Sequence, residues 1–211
     1  MKKLLLLALL PTLLTGCIGR VIVYDPEQLK IEPTKKITST SSSSSTSTSS
    51  NVSKKYEESN VKYGYTQFIS KNNPKLNEQT VKTIAYYVDY YSKESQIDTK
   101  LVLALMARES SFRSDVVSPS GAIGLGQLLK STAKDMGVDD PFDIEQNTKA
   151  TVKYIKWLMK KNNNDVEKSL ASYKIGHLNV SNMIKAGQEY PESTKNYIND
   201  IKKYQSSISD A

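Results

Sequence analysis

From about residue 75 onward, apolar positions recur at helical spacing. Val81, Ile84, Ala85 and Val88 fall at i, i+3, i+4 and i+7, which places them on one helix face. Asp98 stands where a side-chain oxygen caps a helix predicted over 99 to about 110. Leu125, Leu128, Leu129, Thr132, Ala133 and Met136 predict a third helix with Gly137 as its C-cap. Ala150, Tyr154, Ile155, Leu158 and Met159 predict a fourth. Asp165 caps a shorter one ending near 173, and Tyr197, Ile198, Ile201 and Tyr204 mark a closing helix over 194–205. No two-residue alternation persists beyond a few positions, so the expected fold class is all-α, or mainly α. Residues 51–74 are polar, with Tyr56, Tyr63, Tyr65 and Phe68, and no element is predicted there.

The start of the chain follows other rules. Lys2 and Lys3 precede a leucine-rich run over 4–14, interrupted by Ala8, Pro11 and Thr12. The run is too short for a comfortable bilayer span and reads as an export leader. Positions 38–50 are solely Ser and Thr. Such a tract has nothing to bury and is expected to be a disordered tether, reaching about 45 Å when extended. Leu14-Thr15-Gly16-Cys17 resembles the bacterial lipoprotein box. That resemblance implies a diacylglyceryl group on Cys17, cleavage just before it and an acylated amino terminus, several chains together holding firmly to a bilayer. Ile18 follows in place of the Asp that retains lipoproteins at the inner membrane, so the resemblance implies an outer-membrane anchor facing the periplasm.

Charge narrows the partners only a little. The chain of 211 residues has 29 Lys and Arg against 22 Asp and Glu, a net +7. A basic surface suits a polyanion. The lysines are spread singly or in pairs, with no nucleic-acid motif, and no nucleic-acid partner is expected. With one Cys and one His, a multi-ligand Cys/His metal site, an intrachain disulfide and a redox CxxC pair are all excluded. Every Ser-His-Asp or Cys-His arrangement would have to use His177. Neither cofactor nor metal is expected.

One carboxylate stands out. Val102, Leu105, Met106 and Glu109 share a helix face, so the apolar stripe of the second helix ends in Glu109. Such a carboxyl is paired, protonated or exposed at a cleft edge. It either reaches water or Arg113 as an ordinary helix-end residue, or serves as a general acid of the kind glycoside cleavage uses. Ser118 to Gln127 follows, with Gly121, Gly124 and Gly126 within six positions. It lacks the Gly-Lys-Ser/Thr ending of a phosphate loop and reads as a tight turn feeding a helix.

These pieces occur in a familiar order. Glu109-Ser110-x-Phe112, Ser118-x-x-Gly121-Ala122-x-Gly124-Leu125-x-Gln127 and Ser131-Thr132-Ala133 resemble the catalytic domain of the soluble lytic transglycosylases. The resemblance continues through the segment ending Gln146-Asn147, through Ala171-Ser172-Tyr173-x-x-Gly176, and through Pro191-x-x-Thr194-x-x-Tyr197. It covers roughly 97–201 and implies a lysozyme-like, largely helical fold. Expected divisions are a lipoprotein signal peptide over 1–16, a lipidated start and tether over 17–50, a helical extension over 51–96 and the transglycosylase domain over 97–205.

The resemblance implies that Glu109 is the catalytic acid/base on peptidoglycan, cleaving between N-acetylmuramic acid and N-acetylglucosamine with a 1,6-anhydro end. Ser118 and Gln127 then line the cleft. Tyr173 lies near the glutamate, steadying it or stacking on a sugar, with core packing as the other reading. Asn147 braces its helix, and Phe112 is the apolar floor. The chain departs from the family at Lys174, where Asn is usual, at Ile175 for Ala, at Lys130 for Pro and at His177 for Pro. Two other readings stay open: a peptidoglycan-binding lipoprotein without chemistry, and a muramidase-type hydrolase.

Overall fold

The computed structural model describes residues 61–211. The leader, Cys17 and the Ser/Thr tract lie outside the described residues. Eight helices and one small hairpin appear among those described: α1 Tyr63–Asn72, α2 Glu78–Ser95, α3 Thr99–Ser110, β1 Ala122–Ile123, β2 Leu128–Leu129, α4 Lys130–Asp135, α5 Ile144–Lys161, α6 Val166–Ile175, α7 His177–Lys185 and α8 Glu192–Ser206.

α3 is the centre. Thr99 and every residue from Leu101 to Ala107 are buried, the mark of a helix covered all round rather than along one stripe. Asp98 caps it by accepting from the amide of Lys100, 3.0 Å. α8 runs antiparallel along it, with Gln205 donating to Asp98 at one end, 2.6 Å, and Arg108 meeting Asp200 near the other, 2.9 Å. α1 and α2 also pack on α3, α2 packs on α5, and α6 joins α5, α7 and α8.

Caps set the remaining entries. Asn77, Asp143 and Asp165 accept from Thr80, Gln146 and Lys168 at the starts of α2, α5 and α6. Each satisfies an amide that lacks a partner in the first turn.

The third predicted helix is shorter than its apolar spacing implies. Leu125 and Leu128 are buried, but in the glycine turn and β2 rather than on a helix. Gly124 and Gln127 take φ of 71° and 50°, which no helix accommodates, so only 130–135 is helical. The hairpin pairs Ala122 with Leu129 and Ile123 with Leu128. Two helices lie where none is predicted. α1 buries Tyr65, Phe68 and Ile69, while α7 buries only Val180. Among the described residues no helix is long and apolar enough to cross a membrane.

Candidate active site

Glu109 occupies the last turn of α3, one residue before Ser110 ends the helix. Ser111 and Phe112 both take left-handed φ, 52° and 58°, so the chain turns sharply away and leaves the carboxyl at the helix mouth. Phe112 then plunges into the core, fully buried beneath this turn. Glu109 itself is half-buried. Its Oε1 accepts the hydroxyl of Tyr197 at 2.6 Å. Arg113, the alternative partner on sequence grounds, donates instead to the carbonyl of Ser110, 2.9 Å.

Tyr197 sits in a cationic frame. The guanidinium of Arg108 lies 5.4 Å from its ring centroid, and Nζ of Lys174 lies 5.1 Å from it. Both distances are within cation–π range. The structure thus brings Lys174, the departure from the family pattern, beside the tyrosine that holds Glu109.

The glycine turn is fixed by one side chain. Asn147 is buried on α5. It accepts from the amide of Gly126, 2.9 Å, and donates to the carbonyls of Ile123 and Pro141, 3.1 and 2.7 Å. An amide is the group that offers acceptor and donors together. Gly124 lies so close to Asn147 that a Cβ would come within 2.5 Å of its Nδ2. Asn147 therefore braces the turn as well as its own helix.

The remaining candidates divide as follows. The hydroxyl of Tyr173 donates to the carbonyl of Gly126, 2.6 Å, and the residue is buried. A hydroxyl bonded to Glu109 is that of Tyr197. The ring of Tyr173 joins Tyr154, which in turn stacks on Trp157. Ser118 accepts the amide of Ala122 at 3.0 Å and lies 3.0 Å from the hydroxyl of Ser120. Gln127 donates to the carbonyls of Val116 and Gly124, 3.3 and 3.0 Å. Both are half-buried and both shape the turn.

Sequence reasoning did not assign a role to Tyr197 or to Arg108. Tyr197 was visible as the end of the Pro191-x-x-Thr194-x-x-Tyr197 pattern. Its partner could not be read from spacing, because the two residues are 88 positions apart. Nor did the sequence signal that Tyr87 and Tyr91 each donate to a different oxygen of Glu145, both 2.7 Å. Burial and that carboxylate push the Tyr91 phenol well above its ordinary range. Among the described residues no group of three His, Cys, Asp or Glu side chains could hold a metal ion.

A helical domain built round a buried helix carries a glutamate at that helix's mouth and a glycine turn stapled by an asparagine. The transglycosylase SLT domain profile matches residues 86–196, and the chain belongs to that family. It is 34% identical over 89 residues to membrane-bound lytic murein transglycosylase F of Haemophilus influenzae (strain PittGG), covering 39% of this chain and 18% of that protein. To the protein of the same description from Actinobacillus succinogenes it is 31% identical over 102 residues, covering 45% and 21%. The chain thus spans about a fifth of these relatives' length.

Solved structures agree on the fold. The 70 kDa soluble lytic transglycosylase of Escherichia coli superposes with a TM-score of 0.56 at 20% identity, over 67% of this chain and 28% of that one. An inactive mutant of the lytic transglycosylase Slt of Pseudomonas aeruginosa gives 0.53 at 19%, over 57% and 23%. The mainly α-helical fold is therefore the lysozyme-like fold of the lytic transglycosylases.

Proposed function

We propose that the protein is a peptidoglycan lytic transglycosylase with Glu109 as its single acid/base, held to the cell envelope by lipid on Cys17. The observation that carries this reading is the half-buried carboxyl at the mouth of α3 with the Tyr197 hydroxyl on Oε1. A donor on Oε1 directs the cycling proton to the other carboxyl oxygen. The carbonyl end of a helix disfavours negative charge, which favours the neutral acid that the first step needs.

In that step Glu109 gives its proton to the glycosidic oxygen between N-acetylmuramic acid and N-acetylglucosamine as the C1–O bond breaks. The resulting carboxylate then takes the proton of the muramoyl O6 hydroxyl, and O6 bonds to C1. Proton and charge balance, Glu109 returns to its neutral state, and no water is consumed. Hydrolases of both stereochemical outcomes place two carboxyl groups across the sugar. A substrate that supplies its own nucleophile needs only one. Ser118, Gln127 and Tyr173 would contribute to the cleft wall. Because their side chains also tie the glycine turn together, that wall would be rigid before substrate arrives.

The experiment is digestion of purified sacculi with mass analysis of the fragments. Anhydro ends, each lighter by one water than a reducing end, are expected. Reducing ends would instead identify a hydrolase, and no fragments a binding protein. Glu109→Gln keeps the shape but cannot cycle a proton and should lose about 10²–10⁴-fold in rate. Retention of over half the activity in a folded variant would remove the assignment. For the anchor, Cys17→Ala should abolish incorporation of a labelled fatty acid; unchanged labelling would show that the Leu14-Thr15-Gly16-Cys17 box is not an acylation site.

A further inference from the structure

A groove lies between α1 and the C-terminal half of α8, with a volume of about 800 Å³. Every residue lining it falls before 86 or after 196, outside the segment shared with the family. It is built by the two flanks of the domain.

Its floor is aromatic and its rim is cationic. Phe68 meets Phe112 edge-on at 6.0 Å and Tyr204 at 6.1 Å, so the floor is locked to the turn just beyond Glu109. Lys71 stands on one wall and Lys203 on the other. Asp200 also lines the groove, but Arg108 meets its charge at 2.9 Å. Neither lysine has an ion-pair partner among the described residues. The groove therefore presents two ammonium groups whose charge the protein does not answer.

Its position relative to the candidate acid follows from the helix directions. α1 runs alongside α3, and Asn73 at its end donates to the carbonyl of Ser111, 3.0 Å, two residues past Glu109. On α8, Asp200 lies three residues after Tyr197. One end of the groove is thus within a helical turn of the tyrosine that holds the carboxyl. From there it extends along α1, whose ten residues span about 15 Å. An extended peptide advances about 3.3–3.6 Å per residue, so this length suits roughly four residues.

We propose that the groove is a binding site for the short acidic peptide carried by the glycan strand, with its carboxylates against Lys71 and Lys203 and its apolar side chains against Tyr204. The inference rests on the peptidoglycan reading given above. A bare sugar ring stacks on an open aromatic face, whereas Phe68 is buried and Tyr204 is packed edge-on to it. A neutral glycan can accept hydrogen bonds from two ammonium groups but offers no charge to answer theirs. Flexible lysines suit carboxylates spaced along a chain better than a fixed guanidinium fork would. Because the peptide is covalently joined to the strand, weak binding here raises the local concentration of the scissile bond at Glu109.

The test is a titration of the full chain with a soluble acidic tetrapeptide of the stem type, followed by calorimetry. It is paired with cleavage rates on glycan strands with and without their peptides. Wild type is expected to bind the peptide, and Lys71→Glu with Lys203→Glu should weaken binding about tenfold or more. The rate ratio of peptide-bearing to peptide-free strands should fall towards one in the same chain. Should the double glutamate chain not fold, Lys71→Gln with Lys203→Gln removes the charges without reversing them and should lower the same ratio. Glu109→Gln should bind the peptide as wild type does. Peptide binding by a chain that cuts no strand would keep the groove and remove the cleavage reading. Cleavage with no peptide binding, or with binding untouched by both double variants, would overturn the groove. Equal affinity for poly-glutamate of the same charge would also overturn it, showing a general polyanion surface.

Discussion

The hydroxyl of Tyr197 and the carboxyl of Glu109 meet at 2.6 Å, tying the mouth of α3 to the first part of α8. Two consequences follow. The carboxyl cannot swing freely about its side-chain bonds, because one oxygen is held. The antiparallel packing of α8 on α3, reinforced by Arg108–Asp200 and Gln205–Asp98, sets where that oxygen points.

Tyr197→Phe tests the bond without disturbing the packing. The ring stays, and only the hydroxyl goes. Hydrogen bonds to charged groups contribute about 1.5–3 kcal/mol, so kcat should fall roughly 10- to 100-fold, with KM nearly unchanged. The melting temperature should move little. Steady-state kinetics on a defined glycan would check this; an unchanged kcat would show that the bond merely packs two helices.

Gly126 has almost no room for a side chain. Its amide donates to Asn147 and its carbonyl accepts from Tyr173, so its backbone is held from both sides. A Cβ there would lie 1.9 Å from Oγ1 of Thr151, a buried residue on α5. Gly126→Ala should destabilise the fold by about 1–3 kcal/mol, the usual range for overpacking. It should also reduce activity by displacing the turn that carries Gln127. Chemical denaturation would measure the first effect; a midpoint equal to wild type would mean that α5 yields at no cost.

The sequence made α3 legible because two independent signals coincide there, the Asp98 cap and a stripe that ends at Glu109. The helix predicted from Leu125 shows the opposite case. Its apolar spacing is helical, yet Leu125 and Leu128 are buried from a glycine turn and a hairpin, so burial alone produced the period. α7 gave almost no signal since it buries one residue, Val180. α1 was hidden for another reason. Its buried face, Tyr65, Phe68 and Ile69, is made against helices distant from any local period, α2 and α3, with Phe68 also meeting Tyr204 of α8 and the amide of Gly64 donating to Ala211. The acid itself could be found from a one-dimensional pattern, but its tyrosine could not. A pairing across 88 positions is decided by how helices dock, which no local period encodes.

His177 predicts a pH dependence of stability. Burial, and secondarily the nearby charge of Lys161, holds its imidazole below the ordinary value of 6.5. Its Nδ1 is buried with no hydrogen-bond partner among the described residues, and its ring meets Trp157 edge-on at 5.7 Å. It also opens α7, where the helix start disfavours a cation. The unfolded chain therefore takes up a proton at higher pH than the folded one. Stability should fall as pH drops below 6.5, and His177→Asn should remove that part of the fall. Urea midpoints of both proteins at neutral and mildly acidic pH isolate the effect, since the carboxylates titrate alike in each. Parallel curves would show that the imidazole titrates equally in both states.

Lys174 gives the sharpest prediction about chemistry. Its Nζ is 5.1 Å from the ring centroid of Tyr197, whose hydroxyl holds Glu109, and the resemblance places Asn at this position. A cation in that frame favours the ionised carboxylate, whereas the first step of the proposed reaction needs the neutral acid. Activity should therefore fail on the alkaline side once Glu109 loses its proton, and Lys174 brings that point to lower pH. Lys174→Asn removes the charge and should move the descending, high-pH limb of the rate profile upward, raising the rate near neutrality. Arg108 remains 5.4 Å from the same ring centroid, so the limb should shift without vanishing. Charge and shape separate in two further variants. Lys174→Gln should move the limb in the same direction as Asn, and Lys174→Arg should leave it near wild type. Superimposable profiles for Asn, Gln and wild type would show that Lys174 does not act on the acid. A shift shared by Arg would assign the effect to geometry instead of charge.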